Sequence, residues 1–272
     1  MNLMLILASV IILIFGLVIG SFLNVVINRL NLHQNLISPG SHCPNCKHNL
    51  NFWDLIPVFS FIFLRGKCRY CQKKISWQYP LVELTTAISF LLLFFKFVDI
   101  NNINLDFLVI LEQLLIYFFF TSILIIIFVY DLKHYLIPNK IIYPALIITL
   151  ILQIIPISQY PNIPISNLII GSLIPGIFFL LLVLVSKEKW MGAGDVKLGF
   201  LCGLMIGYPN IFVALFISFV LGAIIGIILI ISKKKDLKDK MPYGTLLTFA
   251  TFISILFGTQ IINWYFSFLG IV

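Results

Sequence analysis

The pattern of hydrophobic and polar positions divides the chain into long apolar runs separated by short polar stretches. A helix of about 20 apolar residues spans the hydrocarbon core of a bilayer. The pattern therefore predicts an all-α polytopic membrane protein with about eight transmembrane helices. The predicted spans are residues 3–27, 79–98, 107–130, 140–157, 167–186, 196–208, 211–231 and 244–266.

The composition excludes a soluble globular protein. Apolar residues make up 61% of the chain and charged residues 10%, whereas soluble domains are about half apolar and about a quarter charged. The formal net charge is +8, but we expect the basic residues to mark a membrane face and not a nucleic-acid interface. No Lys or Arg precedes Arg29, so the first run is predicted to be a retained helix and not a cleaved signal peptide.

Basic residues alternate between the predicted loops. Loops 28–78, 131–140, 187–195 and 232–243 carry lysine or arginine, and the loops between them do not. With eight spans, every basic loop falls on one side of the bilayer, which the positive-inside rule identifies as the cytoplasm. We therefore predict a multi-pass protein of the cytoplasmic (inner) membrane with both termini outside.

The first loop contains a four-cysteine module. Its two Cys-x-x-Cys pairs, separated by 21 residues, can each offer two thiolates to one metal ion and together complete a tetrahedral zinc site. Four protein ligands leave no open position, so the zinc is predicted to be structural and to fold a loop with little core of its own. The pairs are Cys43 with Cys46 and Cys68 with Cys71.

Two other uses of these cysteines remain open from the sequence: two disulfides, or a dithiol redox pair. A cytoplasmic loop does not favour stable disulfides, and a thioredoxin-like pair needs a βαβ context that this loop lacks. The chain is thus predicted to comprise a first transmembrane helix (1–27), a small cytoplasmic zinc-knuckle insertion (28–78) and a transmembrane domain (79–272).

Two aspartates lie at the ends of apolar spans. Asp131 follows the third span, and Asp195 precedes the sixth beside Gly192 and Gly194, which let backbone approach closely. An acid at a membrane helix is a candidate functional residue, and the predicted topology puts both at the cytoplasmic face. Two carboxylates in one site share a proton near neutral pH, so the ionised one can activate water while the protonated one polarises a carbonyl.

Other polar residues near the spans have two interpretations each. Glu83 begins the second span either as a site residue or as an interfacial acid, and Lys197 either balances charge near the aspartates or reaches the lipid headgroups. In the first span, Gly16, Gly20 and Asn24 share a helical face that suits either helix packing or substrate contact.

Several short motifs occur in a characteristic order. They are Gly20-Ser21-Phe22-Leu23-Asn24, Cys43-Pro44-Asn45-Cys46, Ile56-Pro57-Val58-Phe59-Ser60, Arg65-Gly66-Lys67-Cys68-Arg69-Tyr70-Cys71, Tyr79-Pro80-Leu81-Val82-Glu83, Asp131 with Ile137-Pro138, Gly192-Ala193-Gly194-Asp195 with Lys197, and Pro242-Tyr243-Gly244. With this set the chain resembles the bacterial prepilin peptidases, the type IV leader peptidase family of GxGD membrane aspartyl proteases. The resemblance runs from about residue 16 to residue 250.

The resemblance implies an activity. Such enzymes remove the basic leader of prepilins and pseudopilins after a glycine, at the cytoplasmic face and just before an apolar helix. Many also methylate the new N-terminus with S-adenosylmethionine, and the four-cysteine loop is associated with the methylating form. The family's catalytic aspartates correspond to Asp131 and Asp195, and the methylation hypothesis extends to Gly66 in the loop.

The chain departs from the family pattern at three positions. Lys133 and Asn139 stand where acids are frequent, which lowers the local negative charge and leaves the two catalytic candidates unchanged. Thr245 stands where a proline is common, and we attach no functional consequence to it.

Functions of two other classes remain as alternatives. A proton-coupled membrane transporter can hold paired membrane acids, although such acids more often lie at the midplane. A non-catalytic, zinc-dependent membrane assembly protein would use the cysteine loop alone. The expected partners are a prepilin or pseudopilin substrate and the lipid bilayer, with no nucleic acid, and the expected cofactors are zinc and S-adenosylmethionine.

Overall fold

The computed structural model describes most of the chain. The described residues are 3–32, 40–98, 107–154, 164–233 and 241–270. Residues 1–2, 33–39, 99–106, 155–163, 234–240 and 271–272 lie outside them, and these include the end of the fourth predicted span, 155–157. Asp99, Asp106 and most lysines of the loop 232–243 are therefore not among the described residues.

A helix occupies each of the eight predicted spans, and a further short helix and a 3-10 turn lie in the cysteine loop. Across the described ranges there is no β-strand, and only two isolated β-bridges occur. The helices are α1 (Leu3–Leu32), α2 (Phe59–Phe63), α3 (Gln78–Phe97), α4 (Phe107–His134), α5 (Asn139–Ile154), α6 (Ile165–Ser186), α7 (Ala193–Ile206), α8 (Asn210–Ile231) and α9 (Tyr243–Phe268). The 3-10 turn is Phe52–Asp54.

Six of these helices are long and apolar enough to cross a membrane: α1, α3, α4, α6, α8 and α9. The other two helices in predicted spans, α5 and α7, have 16 and 14 residues, fewer than the roughly 20 that a perpendicular span requires. The prediction of an all-α, multi-pass membrane protein is confirmed.

Some helix ends differ from the predicted boundaries. α4 continues past residue 130 to His134, and α7 begins at Ala193 instead of residue 196. Asp131 therefore lies in the last turn of α4 and Asp195 in the first turn of α7, not in the adjoining loops. The predicted boundaries follow apolar content, but the backbone hydrogen bonds of both helices continue for about one further turn into polar sequence.

The chain divides into two compact units, Met1–Ile126 and Ile127–Val272. The boundary falls inside α4, so the four cysteines belong to the first unit and both aspartates to the second. The three predicted segments, 1–27, 28–78 and 79–272, are defined by the expected membrane topology and not by compactness, and they stay a prediction.

In the first unit, α1 and α3 pack closely through small residues of α1. A Cβ on either Gly16 or Gly20 would lie 2.6 Å from a Cα atom of α3. Asn24 donates through Nδ2 to the carbonyl oxygen of Tyr79 at 3.0 Å. These contacts favour helix packing over substrate contact as the role of this face.

In the second unit, the short helix α7 contacts α5, α6, α8 and α9. Leu198, Leu201, Cys202 and Met205 are fully buried in it, and Gln153 of α5 donates through Nε2 to a backbone carbonyl of α7 at 3.1 Å. Protein contacts on these sides explain how a helix too short for a full span is accommodated, because backbone at membrane depth needs partners within the protein.

We expect Gly203→Ala to lower the melting temperature of the purified protein in detergent. A Cβ on Gly203 of α7 would overlap the carbonyl oxygen of Gly171 of α6, so the two helices would have to separate. Overpacking of this kind costs about 1–3 kcal/mol. The matched control is Gly226→Ala in α8, where the nearest atom is Sδ of Met241 at 3.6 Å, an ordinary contact. Equal melting temperatures for the two variants would contradict the close approach of α6 and α7.

Candidate active site

Asp131 is buried in the last turn of α4, with 4% of its surface exposed. Its Oδ2 atom accepts two hydrogen bonds from Thr245 in the first turn of α9, one from the backbone N–H at 2.8 Å and one from the hydroxyl at 3.1 Å. Gly244 lies against the same oxygen, because a Cβ there would be 2.9 Å from it. This carboxylate therefore joins the end of α4 to the start of α9.

Asp195 is partly buried in the first turn of α7. Its Oδ2 atom accepts a hydrogen bond from the backbone N–H of Gly192 at 3.1 Å. Burial raises the pKa of Asp195 to about 7, the hydrogen bond from Gly192 lowers it, and the negative charge of Asp131 raises it. The two predicted carboxylates thus lie within electrostatic reach of each other, and near neutral pH Asp195 carries a proton for much of the time.

The side chain of Ile137 lies against two glycines that belong to different helix starts. A Cβ on Gly194 of α7 would be 3.1 Å from the Cβ of Ile137, and one on Gly244 of α9 would be 3.2 Å from its Cδ1. The absence of a side chain at both positions lets α7 and α9 begin beside the same residue. Because Gly244 also touches Asp131 and Gly194 adjoins Asp195, Ile137 lies between the parts of the backbone that carry the two acids.

Lys197 is bound to the start of α5, and whether it balances charge near the aspartates or reaches the headgroups stays a prediction. Its Nζ atom donates to Oδ1 of Asn139 at 2.9 Å and lies 4.9 Å from the centre of the Tyr143 ring. Asn139 is one of the positions where the resemblance led us to expect an acid, and its amide oxygen accepts the hydrogen bond from the lysine. Lys197 therefore holds the starts of α5 and α7 together.

The four predicted metal ligands form one cluster in the first unit. The Sγ atoms of Cys43, Cys46, Cys68 and Cys71 all lie within 4.8 Å of one another, and none is in a disulfide. Those of Cys43 and Cys71 are 3.9 Å apart. A tetrahedron of sulfurs around zinc has edges of about 3.8 Å, whereas disulfide sulfurs lie about 2.05 Å apart. The cluster is therefore positioned to bind a tetrahedral metal ion.

Two backbone turns of the same design present these thiolates. In each turn the N–H of the first cysteine, Cys43 or Cys68, donates to the carbonyl five residues later, and the N–H four residues later donates back to the cysteine carbonyl, at 2.9–3.0 Å. The residues at that fourth position, Lys47 and Gln72, have φ angles of 61° and 57°. Each Cys-x-x-Cys pair therefore directs both sulfurs toward one point.

Asp54 fixes the second cysteine turn to the 3-10 turn. Its Oδ1 accepts a hydrogen bond from Nε of Arg69 at 2.7 Å, its Oδ2 accepts one from the hydroxyl of Tyr70 at 3.2 Å, and its side chain is 3% exposed. Asp54 is the only acid between residues 28 and 78. The single acidic side chain of this loop therefore stabilises the loop itself and is not accessible for binding a basic peptide.

Glu83 is buried in α3, and its Oε2 atom accepts a hydrogen bond from the backbone N–H of Val58 at 2.7 Å. Val58 has a φ of 61°, which is rare for a β-branched residue. Glu83 thus supports a strained backbone position in the first unit. A contact between Glu83 and substrate stays a prediction.

Gly66 lines a groove of about 490 Å³ in the first unit. Its φ is 68°, and a Cβ at this position would lie 3.1 Å from the Phe61 ring. Arg65, Lys67 and Trp77 also line the groove. A larger residue at position 66 would therefore be strained in its backbone and would crowd the groove wall.

Models of known families match both parts of the chain. Residues 14–97 match the bacterial peptidase A24 N-terminal domain, and residues 118–227 match the type IV leader peptidase family. A prepilin leader peptidase/N-methyltransferase of Bacillus subtilis (strain 168) is 31% identical over 254 residues, which cover 93% of this chain and 95% of the relative. The chain belongs to the type IV leader peptidase family. The family suggested by the motif order is thereby confirmed.

Two further relatives carry the same description. Those of Pseudomonas putida and Aeromonas hydrophila are 29% and 30% identical over 270 and 276 residues, which cover 91% and 93% of this chain and 90% and 91% of the relatives. No solved structure matches the chain. In this member of the leader peptidase family, the four cysteines lie in the N-terminal match and both aspartates lie in the second match.

The sequence pattern did not indicate two residues that connect the parts of the candidate site, Thr245 and Ile137. Thr245 was given no functional consequence, yet both of its donors bind Asp131, which lies 114 residues earlier. A signal was present, since Thr245 directly follows the Pro242-Tyr243-Gly244 motif. Ile137 also lies in a motif, but nothing in the pattern indicated that it would contact two glycines.

Proposed function

We propose that the chain is a prepilin leader peptidase that hydrolyses the bond between the basic leader and the apolar helix of a type IV prepilin or pseudopilin, after a glycine. The proposal rests on the placement of Asp131 in the last turn of α4 and of Asp195 in the first turn of α7, close enough for the charge of Asp131 to act on Asp195. The relatives named prepilin leader peptidase/N-methyltransferase support it, because they are similar to this chain over more than nine tenths of its length.

Asp131 and Asp195 share the acid and base roles of the reaction. The ionised carboxylate accepts a proton from the attacking water, and the protonated one donates a hydrogen bond to the carbonyl oxygen of the scissile peptide. As the C–N bond breaks, the leaving amine takes a proton from the pair, which returns to its state with a single proton. No covalent bond between enzyme and substrate forms. The pKa of about 7 for Asp195 supports a proton on this pair at neutral pH.

The reaction takes place at the cytoplasmic face of the inner membrane, with both termini of the chain outside. This topology is supported by the alternation of basic and non-basic loops around eight helices. The substrate is itself an apolar helix, so it approaches the aspartates from within the bilayer while its leader stays in the cytoplasm.

The four cysteines hold a structural zinc ion. Within residues 40–77, only Cys43 and Cys68 are buried, so this segment has almost no hydrophobic core to stabilise it. Binding of one metal by both cysteine turns provides folding free energy that the loop otherwise lacks. The zinc has four protein ligands and takes no part in hydrolysis.

The chain also methylates the new N-terminus of the cleaved substrate. S-adenosylmethionine, when bound, supplies the methyl group. The groove at Gly66 supports this role, since its volume of about 490 Å³ falls within the usual ~300–1,000 Å³ of small-molecule sites. The rings of Phe61 and Trp77, with centroids 4.9 Å apart, offer an apolar surface beside the glycine.

Asp131→Asn and Asp195→Asn are each expected to lower prepilin cleavage by about 10²–10⁴-fold, because an amide can neither accept nor donate the proton that the reaction transfers. Cleavage is measured as the mass shift of a prepilin incubated with membranes that contain each variant. Glu112→Gln, which neutralises an acid near the other end of α4, is the matched control and should cleave normally.

Normal cleavage by either aspartate variant would refute the catalytic role of that residue. If wild-type membranes cleave no prepilin at all, the transporter or the assembly-protein alternative replaces the peptidase proposal.

Cys46→Ser is expected to remove zinc from the purified protein, because three remaining thiolates do not complete the tetrahedral site. Metal content is measured by mass spectrometry of the protein after removal of free metal, and wild type should retain one zinc per chain. Cys202→Ser, at the cysteine buried in α7, should retain it as well. Equal zinc content in all three proteins would contradict the assignment.

Gly66→Val is expected to abolish methylation and leave cleavage intact, because the side chain strains the backbone and crowds the groove. The assay follows labelled methyl from S-adenosylmethionine into the cleaved product. Gly40→Val is the matched control, since a Cβ at Gly40 meets no atom within 4 Å. Cleavage by wild type with no label in the product would remove the methylation proposal.

A further inference from the structure

We propose that Thr245 is a positioning residue that keeps Asp131 ionised, so that Asp131 is the proton acceptor of the pair and Asp195 its proton donor. The inference rests on the proposed peptidase function. It specifies which carboxylate is the base and which is the acid, a choice that the pairing alone leaves open.

Thr245 is placed to stabilise a negative charge on Asp131. Its backbone N–H and its hydroxyl both donate to the same carboxylate oxygen, at 2.8 and 3.1 Å. Thr245 is 6% exposed and Asp131 4% exposed, so solvent does not compete for these hydrogen bonds. Donors directed at a carboxylate favour its ionised form over its protonated form.

The start of α9 adds to this effect. Its N-cap residue is Pro242, which provides no side-chain hydrogen bond to the first turn, so the N–H groups of that turn need an acceptor from elsewhere. Asp131 is that acceptor for Thr245, and Gly244 lies against the same carboxylate oxygen. The partial positive charge of a helix start stabilises an anion there. Asp131 thus caps α9 from another helix.

Asp195 has a weaker set of donors. It also lies at a helix start, but its described donor is the single backbone N–H of Gly192 at 3.1 Å. Burial raises its pKa to about 7, so roughly half of the Asp195 side chains carry a proton at neutral pH. Two carboxyl groups whose surroundings differ in this way divide the base and acid roles between them.

The other titratable groups near the two aspartates do not account for a difference in pH dependence between wild type and a Thr245 variant. The hydroxyl of Tyr243 is 2.8 Å from that of Ser218, and Lys197 is hydrogen-bonded to Asn139. All of these groups remain present in the variants used below, so their charges affect wild type and variant alike. The remaining titratable groups near the two aspartates are Tyr130, Lys133, His134 and Tyr135 of the α4 end, Lys140 and Tyr143 of α5, Lys187, Glu188 and Lys189 before α7, and Cys202 of α7.

The decisive variant is Thr245→Val, which preserves the size of the side chain and the backbone donor but removes the hydroxyl. The pH dependence of kcat/KM for prepilin cleavage is measured with the full-length protein in detergent. We expect the midpoint of the acid limb to rise by about one pH unit, since a hydrogen bond to a charged group has this magnitude. Activity should return toward that of wild type as the pH increases.

Three variants complete the comparison. Thr245→Ser retains both donors and should follow the wild-type profile, and Thr245→Ala provides a second hydroxyl-free protein should the valine variant fold poorly. Thr251→Val is the matched control, because Thr251 is a buried threonine of α9 whose hydroxyl donates to the carbonyl of Leu247 at 2.7 Å. Its acid limb should coincide with that of wild type.

A loss of kcat/KM that is equal at every pH, or an acid limb that does not move, would overturn the assignment of Thr245. Either result with an active wild-type enzyme leaves the peptidase function intact. Wild-type protein that cleaves no prepilin at any pH would instead refute the function on which the inference rests.

Discussion

A carboxylate buried at the end of an apolar helix requires hydrogen-bond donors, because an unpaired charge in such surroundings is strongly destabilising. For Asp131 the donors come from the start of α9, through the backbone and side chain of Thr245. The start of α9 in turn lacks a side-chain cap of its own. One interaction therefore satisfies both needs and joins two helices of the second unit.

The second aspartate depends on close helix packing. Lipid provides little hydrophobic force between membrane helices, so small residues and specific hydrogen bonds determine how closely they approach. α7 reaches its position through the contact between Gly203 and Gly171, and Lys197 ties its start to Asn139. This packing brings Asp195, in the first turn of α7, within electrostatic reach of Asp131. Hence the geometry of the site is a consequence of glycine contacts away from it.

The cysteine loop reaches a defined fold by different means. Between residues 40 and 77, the buried positions are two of the four cysteines themselves, and the ion pair of Asp54 with Arg69 attaches the second cysteine turn. Local turns and thiolates replace the apolar core that a longer soluble domain would have. The four thiols are positioned to bind one metal ion, which would add the folding free energy that the loop lacks.

The sequence by itself determined the membrane class, the eight helical segments, both cysteine pairs and the two candidate aspartates, because runs of apolar residues and short spacings are local properties of the chain. The motif order also indicated the family. Only the tertiary structure decided that Asp131 and Asp195 lie inside helical turns, that Lys197 binds Asn139, and that Thr245 donates hydrogen bonds to Asp131. The last contact joins residues 114 positions apart. Such a pair is set by how α4, α7 and α9 pack together, and no local pattern encodes that arrangement.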